Sequence, residues 1–235
     1  MRQRGWRISV LAGLLMLGSG LGLTACGAAE EGGRDGAGMT EREAAASIET
    51  QFQRVKERHL RMYELLTDAQ LHVSDGLWER GHLGVVPVPG PNAWSVRGMG
   101  IENSYYLGLY ASIHLPGGVG EKKDLDPMLE YFESKGWPVK VYEWSTGWAA
   151  RADTGEGFMV TWQIQQNGQY NIDVMSKTFW GSGRQLQREV VSRIPPENLD
   201  FSDALPGVKP KFPNWDDPAT HHPVTRRIQE GVPSQ

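Results

Sequence analysis

The chain has 235 residues, with 24 Lys and Arg against 28 Asp and Glu, nine Trp and one Cys. That length accommodates one domain with a sizeable core, with or without tails. The net charge of −4 excludes a polycationic nucleic-acid surface. A single cysteine excludes both an intrachain disulfide framework and a multi-Cys zinc site.

The first 25 residues differ from the rest. Arg2, Arg4 and Arg7 precede an uncharged run, Ile8 to Leu23, rich in Leu, Met, Ala and Gly. A membrane-spanning helix needs about 20 apolar residues. This run is shorter and is loosened by Gly13, Gly18, Gly20 and Gly22, so it reads as an export signal. It ends in Leu23-Thr24-Ala25-Cys26, and this stretch resembles the lipobox of bacterial lipoproteins. The resemblance implies a diacylglycerol thioether on Cys26 and cleavage between Ala25 and Cys26. The mature chain then loses three of the 24 basic residues and none of the 28 acids, leaving a net charge of −7. An anionic lipid surface repels such a body, so the acyl chains must do the holding. Gly27 to Met39 contains five glycines and is expected to be a flexible tether spanning about 20 Å.

Thr40-Glu41-Arg42-Glu43 has the form of a capping box. Behind it Ile48, Phe52, Val55, His59, Met62, Leu66, Ala69 and Val73 recur at steps of four and three. The spacing predicts one helix from about 41 to 71, roughly 45 Å long. His59 lies on its apolar stripe and is expected to be a packed core residue. Residues 74–103 are rich in Gly and Pro, with short strands expected near Gly84–Val88 and Trp94–Met99. From Tyr105 to Leu115 a strict two-residue alternation predicts a half-buried strand.

The loop Pro116–Lys123 contains no Gly-Lys-Ser/Thr and so lacks the phosphate-cradling pattern. A helix is expected over Asp126–Lys135, capped by Asp126, with Met128, Leu129 and Phe132 inward and Gly136 ending it. Strands follow at Val139 onward and at Trp148–Asp153, around a Ser145-Thr146-Gly147 turn, with a further turn at Thr154–Gly157. In the last hairpin, Val160, Trp162 and Ile164 share a face with Tyr170, Ile172 and Val174. Only a three-residue loop, Gln166-Asn167-Gly168 with Gly168 left-handed, pairs these apolar sets with each other.

A helix over 185–193 and a tail carrying eight of the 14 prolines complete the chain. Phe201, Leu205, Phe212 and Trp215 are the residues able to pin that tail. The predicted class is α+β, an antiparallel sheet packed on one face by the long N-terminal helix and a second short helix. The expected organisation is a signal peptide (1–25), lipidated Cys and tether (26–39), an extracytoplasmic α+β domain (40–180), and a short helix with an irregular Pro-rich tail (181–235). Tyr131-Phe132-Glu133, Gly136-Trp137 and Thr178-Phe179-Trp180 resemble segments of small, uncharacterised actinobacterial lipoproteins, a resemblance that implies no activity.

No H-E-x-x-H, G-x-S-x-G or C-x-x-C occurs. Asp216, Asp217, His221 and His222 sit among prolines and read as a solvated tail, so neither a metal nor a cofactor is expected. Glu143, beside Trp144 and Trp148, is the one acid placed for glycan hydrolysis, and no second carboxylate can be assigned to it. Trp144 and Trp148 read either as packed side chains or as exposed aromatics for a glycan or a protein partner. The expectation is a non-enzymatic binding domain on the outer face of the cell membrane. An envelope hydrolase and a structural accessory subunit are the alternatives.

Overall fold

Thr40 opens the first helix, α1 (Glu41–Ala44). Its hydroxyl accepts from the Glu43 N–H, and the Glu43 carboxylate accepts from the Thr40 N–H at 2.8 Å. The helix does not run on as the periodicity predicts. It stops at Ala45, Ser47 caps a fresh start by accepting from the Thr50 N–H at 3.2 Å, and α2 spans Ile48–Val73. A serine side chain competes for backbone donors, which makes it a better cap than an interior residue. Two carbonyls near the break are taken up by side chains of α2: Arg54 donates to Ala44 and Gln51 to Ala46, both at 2.8 Å. The predicted stripe is buried from Phe52 to Ala69, with Ile48 and Val73 half-buried at its ends. His59 packs as expected, its ring between Tyr63 and Phe212.

The computed structural model describes residues 33–81, 86–144, 146–195, 198 and 203–219, all within one unit, Gly32–Gln235. The leader, Ala25, Cys26, Gly84 and Val85 of the expected strand at Gly84–Val88, Phe201, His221 and His222 lie outside the described residues.

Among the described residues nine strands form two antiparallel sheets: β1 (Glu79–Arg80), β2 (Val88–Pro89), β3 (Ser104–Tyr106), β4 (Gly108–His114), β5 (Val139–Trp144), β6 (Gly147–Asp153), β7 (Phe158–Gln165), β8 (Gln169–Ser176) and β9 (Phe179–Trp180). The larger sheet runs β1-β4-β8-β7-β6-β5 and the smaller β2-β3-β9. The alternation over 105–115 is real but belongs to two strands in different sheets. The chain changes sheets at Leu107, whose N–H donates to Ser176 Oγ and whose carbonyl accepts from the Ser176 N–H, both at 2.9 Å. Tyr105, Leu107, Leu109 and Ala111 stay buried throughout. Trp94–Met99 forms turns and not a strand.

A 3-10 turn, Lys122–Leu125, precedes α3 (Asp126–Ser134). The capping carboxylate there is Asp124, which accepts from the Glu121 N–H at 3.2 Å; Asp126 is the first residue of α3 and does not cap it. At the other end Gly136 donates to Glu133 O at 2.9 Å and Trp137 to Phe132 O at 3.1 Å. This is the paired closure of a left-handed C-terminal cap. The β7–β8 hairpin has the register that apolar pairing requires: Ile164 opposite Tyr170, Trp162 opposite Ile172, Val160 opposite Val174. Gly168 holds φ +80°, the left-handed position of a bulged three-residue loop.

On one face of the larger sheet these residues, with Leu109, Ala111, Ile113, Ala150 and Ala152, close a core with α2, α3 and α4 (Gly183–Val191). Phe212 and Trp215 pin the tail edge-on to Phe52, with centroids 5.5 and 5.4 Å away. Leu205, by contrast, is 52% exposed.

The expected tether is shorter than its composition suggests. Asp35 is buried; one carboxylate oxygen accepts from the N–H of Ala37 (2.8 Å) and of Met39 (2.9 Å). The other accepts from the Trp180 N–H at 3.0 Å, and the Trp180 indole donates to Gly33 O at 3.2 Å. Gly157 permits this docking, because a Cβ there would lie 2.1 Å from Gly36 O. Residues 33–39 are therefore part of the domain.

Candidate functional site

Strand alternation gives the larger sheet a second face, opposite the helices. Two rows of side chains cross it. The first runs Lys140, Arg151, Thr161, Asp173, Tyr110; the second runs Tyr142, Ala149, Gln163, Asn171, Ser112, Glu79. None of these residues belongs to the apolar core. The face is polar, yet its centre is withdrawn from water: Thr161, Ser112 and Ala149 are buried, and Arg151, Gln163, Asn171 and Asp173 are half-buried.

Arg151 organises one end. Its guanidinium lies 5.1 Å from the Tyr142 ring centre and 5.2 Å from that of Trp94, and its Nε donates to Thr161 Oγ1 at 3.1 Å. Guanidinium planes are favoured on aromatic faces and stay charged when partly desolvated. Asp173 sits in the same row. Burial pushes its carboxyl up to about 6, against a smaller opposing pull from Arg151. Gln163 Nε2 donates to Asp173 Oδ2. The neighbouring Asn171 Oδ1 is buried with no hydrogen-bond partner among the described residues. A buried acceptor without a donor carries a desolvation cost. Trp144, 40% exposed and edge-on to Tyr142 at 5.8 Å, and Tyr110, 37% exposed, stand at opposite ends of the face.

The aromatics singled out in the sequence are thus separated. Trp144 pairs with Gly147 and Trp148 with Glu143, so the two tryptophans point to opposite faces of the sheet. Trp144 belongs to the polar face. Trp148 lies on the helix side, half-buried against the core, with Lys122 Nζ 4.8 Å from its ring centre. Glu143 shares that side and is exposed, so it does not converge with Asp173. Trp137 packs edge-on to Tyr131 and tilted against Phe132, half-buried beside the core, Trp162 is buried, and Trp180 is committed to the docked N-terminal segment. In the tail, Asp217 accepts from the Asn214 N–H at 2.7 Å, which holds its carboxyl below the usual range. Among the described residues no three His, Cys, Asp or Glu side chains come together as a metal site.

Sequence reasoning did not single out Arg151, Asp173, Gln163, Asn171, Trp94, Tyr110 or Tyr142. The available signal was weak: Thr161 and Gln163, then Asn171 and Asp173, occupy the positions left over by the apolar pattern and read as solvated. The chain matches no protein-family model, no curated protein and no solved structure.

The raised carboxyl has a consequence for stability. An unfolded Asp ionises near its ordinary value of 3.8, whereas folded Asp173 ionises at about 6. Between those values the folded chain binds more protons than the unfolded one, so this group lowers stability as pH rises through that window. The full effect, reached above pH 6, is about 3 kcal/mol. Asp173→Asn carries no titrating group and keeps an acceptor for Gln163. Relative to the native protein the variant should gain about 2–3 kcal/mol between pH 4 and pH 7.5. Urea denaturation of both proteins at the two pH values measures this; an unchanged difference refutes it.

Proposed function

We propose that the mature protein is a lipid-anchored binding module on the extracytoplasmic face of the cell membrane, taking a polar, ring-bearing ligand such as an envelope glycan on its outer sheet face. The anchor is Cys26, exposed as the new N-terminus by cleavage after Ala25. The observation that carries the binding reading is the composition of the face itself. Aromatic side chains border a row of desolvated hydrogen-bonding groups, and among the described residues no helix packs across it. Aromatic rims with a few convergent polar groups are how ligand sites combine affinity with orientation. Sugar rings suit this pattern, since they present an apolar face to Trp144, Tyr142 or Tyr110 and hydroxyls to Gln163, Asn171 and Asp173.

Hydrolysis receives less support. It requires two carboxylates at a defined separation across one bond. Asp173 is the one acid in this chain whose carboxyl is raised, among the described residues, and Glu143 is on the other face of the sheet.

The test is a fluorescence titration of the full chain in nanodiscs with a soluble N-acetylglucosamine tetramer. Saturable binding that weakens at least tenfold in Arg151→Ala and in Trp144→Ala is expected. Binding that survives both substitutions, or no binding of any envelope saccharide, would overturn the glycan reading. A saccharide cleaved during the titration would favour the hydrolase instead.

A further inference from the structure

A groove of about 310 Å³ lies between α2 and the tail segment, well apart in sequence from the outer sheet face. Lys56 and Leu60 form its helix wall; Lys209, Lys211, Phe212 and Asn214 form the other. We infer that this groove is a second binding site, for a small organic anion carrying a phosphate or carboxylate on an apolar group.

Three features support the assignment. The first is charge. Three lysines line one concavity of a chain whose net charge is −4. None of them forms an ion pair among the described residues, although the chain has eight such pairs elsewhere among them. The Asp217 carboxylate, which also accepts from the Asn214 N–H, is held below its usual range in part by the charges of Lys211 and Lys56. One carboxylate against three lysines leaves the concavity net positive among the described residues, and an anion from solution offsets the remaining repulsion.

The second feature is the floor. Phe212 is buried, and its ring is wedged against Phe52 and His59 at 5.5 and 5.1 Å. With Leu60 it offers an apolar surface beneath the cations, which favours an anion with a hydrocarbon or aromatic portion over a bare inorganic ion.

The third is rigidity. Pro210 and Pro213 restrict the backbone of the tail wall, Asn198 Nδ2 donates to Lys211 O at 2.7 Å, and Arg193 Nε donates to Trp215 O at 3.0 Å. Lys56 Nζ is itself placed by Asn214 Oδ1 at 3.0 Å, a neutral partner that orients the ammonium without cancelling its charge. A preformed wall avoids the ordering cost that a loose tail would impose on binding.

The site is independent of the glycan reading. Its test uses phenyl phosphate, which joins a dianion to one ring, titrated by calorimetry into the full chain held in zwitterionic nanodiscs. One-site binding is expected, weakened at least tenfold in Lys209→Gln/Lys211→Gln and unchanged in Lys135→Gln, which removes a distant exposed lysine. Benzyl alcohol, the neutral counterpart, should not bind, and raising the salt from 50 to 500 mM should weaken phenyl phosphate binding as charge screening requires. The exposed lysines can be replaced without touching the core, and circular dichroism checks that the variant is folded. Absence of saturable binding, or equal binding by Lys209→Gln/Lys211→Gln and the native chain, overturns the proposal. Anionic nanodiscs identify the source: competition from their headgroups points to a lipid phosphate, and undiminished binding to a soluble molecule.

Discussion

Replacing Cys26 by Ala should reduce metabolic labelling with a palmitate analogue to background and abolish lipid-mediated retention on the membrane. Each buried CH₂ contributes about 0.8 kcal/mol, so a diacylglycerol holds far longer than a single chain, and removing the thiol removes all of it at once. Charge offers no substitute. A chain cleaved after Ala25 would be acidic, and an anionic leaflet would repel it. Among the described residues no helix is long and apolar enough to cross a membrane. Label and membrane retention that persist in the Ala variant would refute the anchor, as would intact-mass evidence of an unmodified thiol on the processed chain. The docking of residues 33–39 sharpens what an anchor would do. Only residues 27–32 separate Cys26 from Gly33, and chain length limits that reach to about 25 Å. Asp35→Ala, which strips three N–H groups of their acceptor, would lengthen the leash as well as loosen the fold.

The second large effect is expected in the core. Trp162→Ala should cost about 3–5 kcal/mol, the range for deleting a large buried aromatic. Trp162 is 2% exposed and sits edge-on to Tyr170 with centroids 5.5 Å apart. Its indole N–H also donates to Asp124 O at 3.2 Å, which ties β7 to the turn that starts α3. The substitution therefore leaves a cavity and loosens the seam between sheet and helix layer together. Because whole domains are stable by only about 5–15 kcal/mol, the chemical denaturation midpoint should fall markedly. A loss below about 1 kcal/mol, the usual scale of a surface change, would mean that the ring is not part of the core. Trp144→Ala provides the contrast: on an exposed edge it should hardly alter stability while still weakening ligand binding.

These two residues also mark how far the sequence could be read. The face of Trp162 and the register of its hairpin follow from local rules. Side chains alternate along a strand, and only one loop length sets Trp162 opposite Ile172 and not opposite Asp173. The capping box at Thr40, the stripe from Phe52 to Ala69 and the Gly136 stop were legible for the same reason, since each depends on neighbours within one or two turns. The break at Ala45–Ser47 is nearly as local, but apolar spacing continues across it, so periodicity alone concealed it. Likewise the alternation from Tyr105 to Leu115 kept its phase while the chain passed between sheets at Leu107. A pattern of burial reports which way a side chain points and says nothing of which strand it pairs with.

The α+β class and the pairing of the last hairpin were determined by the amino-acid order itself, through motifs and periods that involve adjacent residues. The polar face, the lysine groove and the docking of Gly33–Met39 were decided only when distant segments met. Asp173 looks solvated in sequence; it becomes a withdrawn, proton-retaining carboxyl because the assembled sheet buries it, against the opposing pull of Arg151. Lys56 and Lys211 likewise share a groove only after Phe212 has packed on Phe52. Desolvation and charge proximity depend on distances in space, and the linear sequence fixes those only through the completed packing.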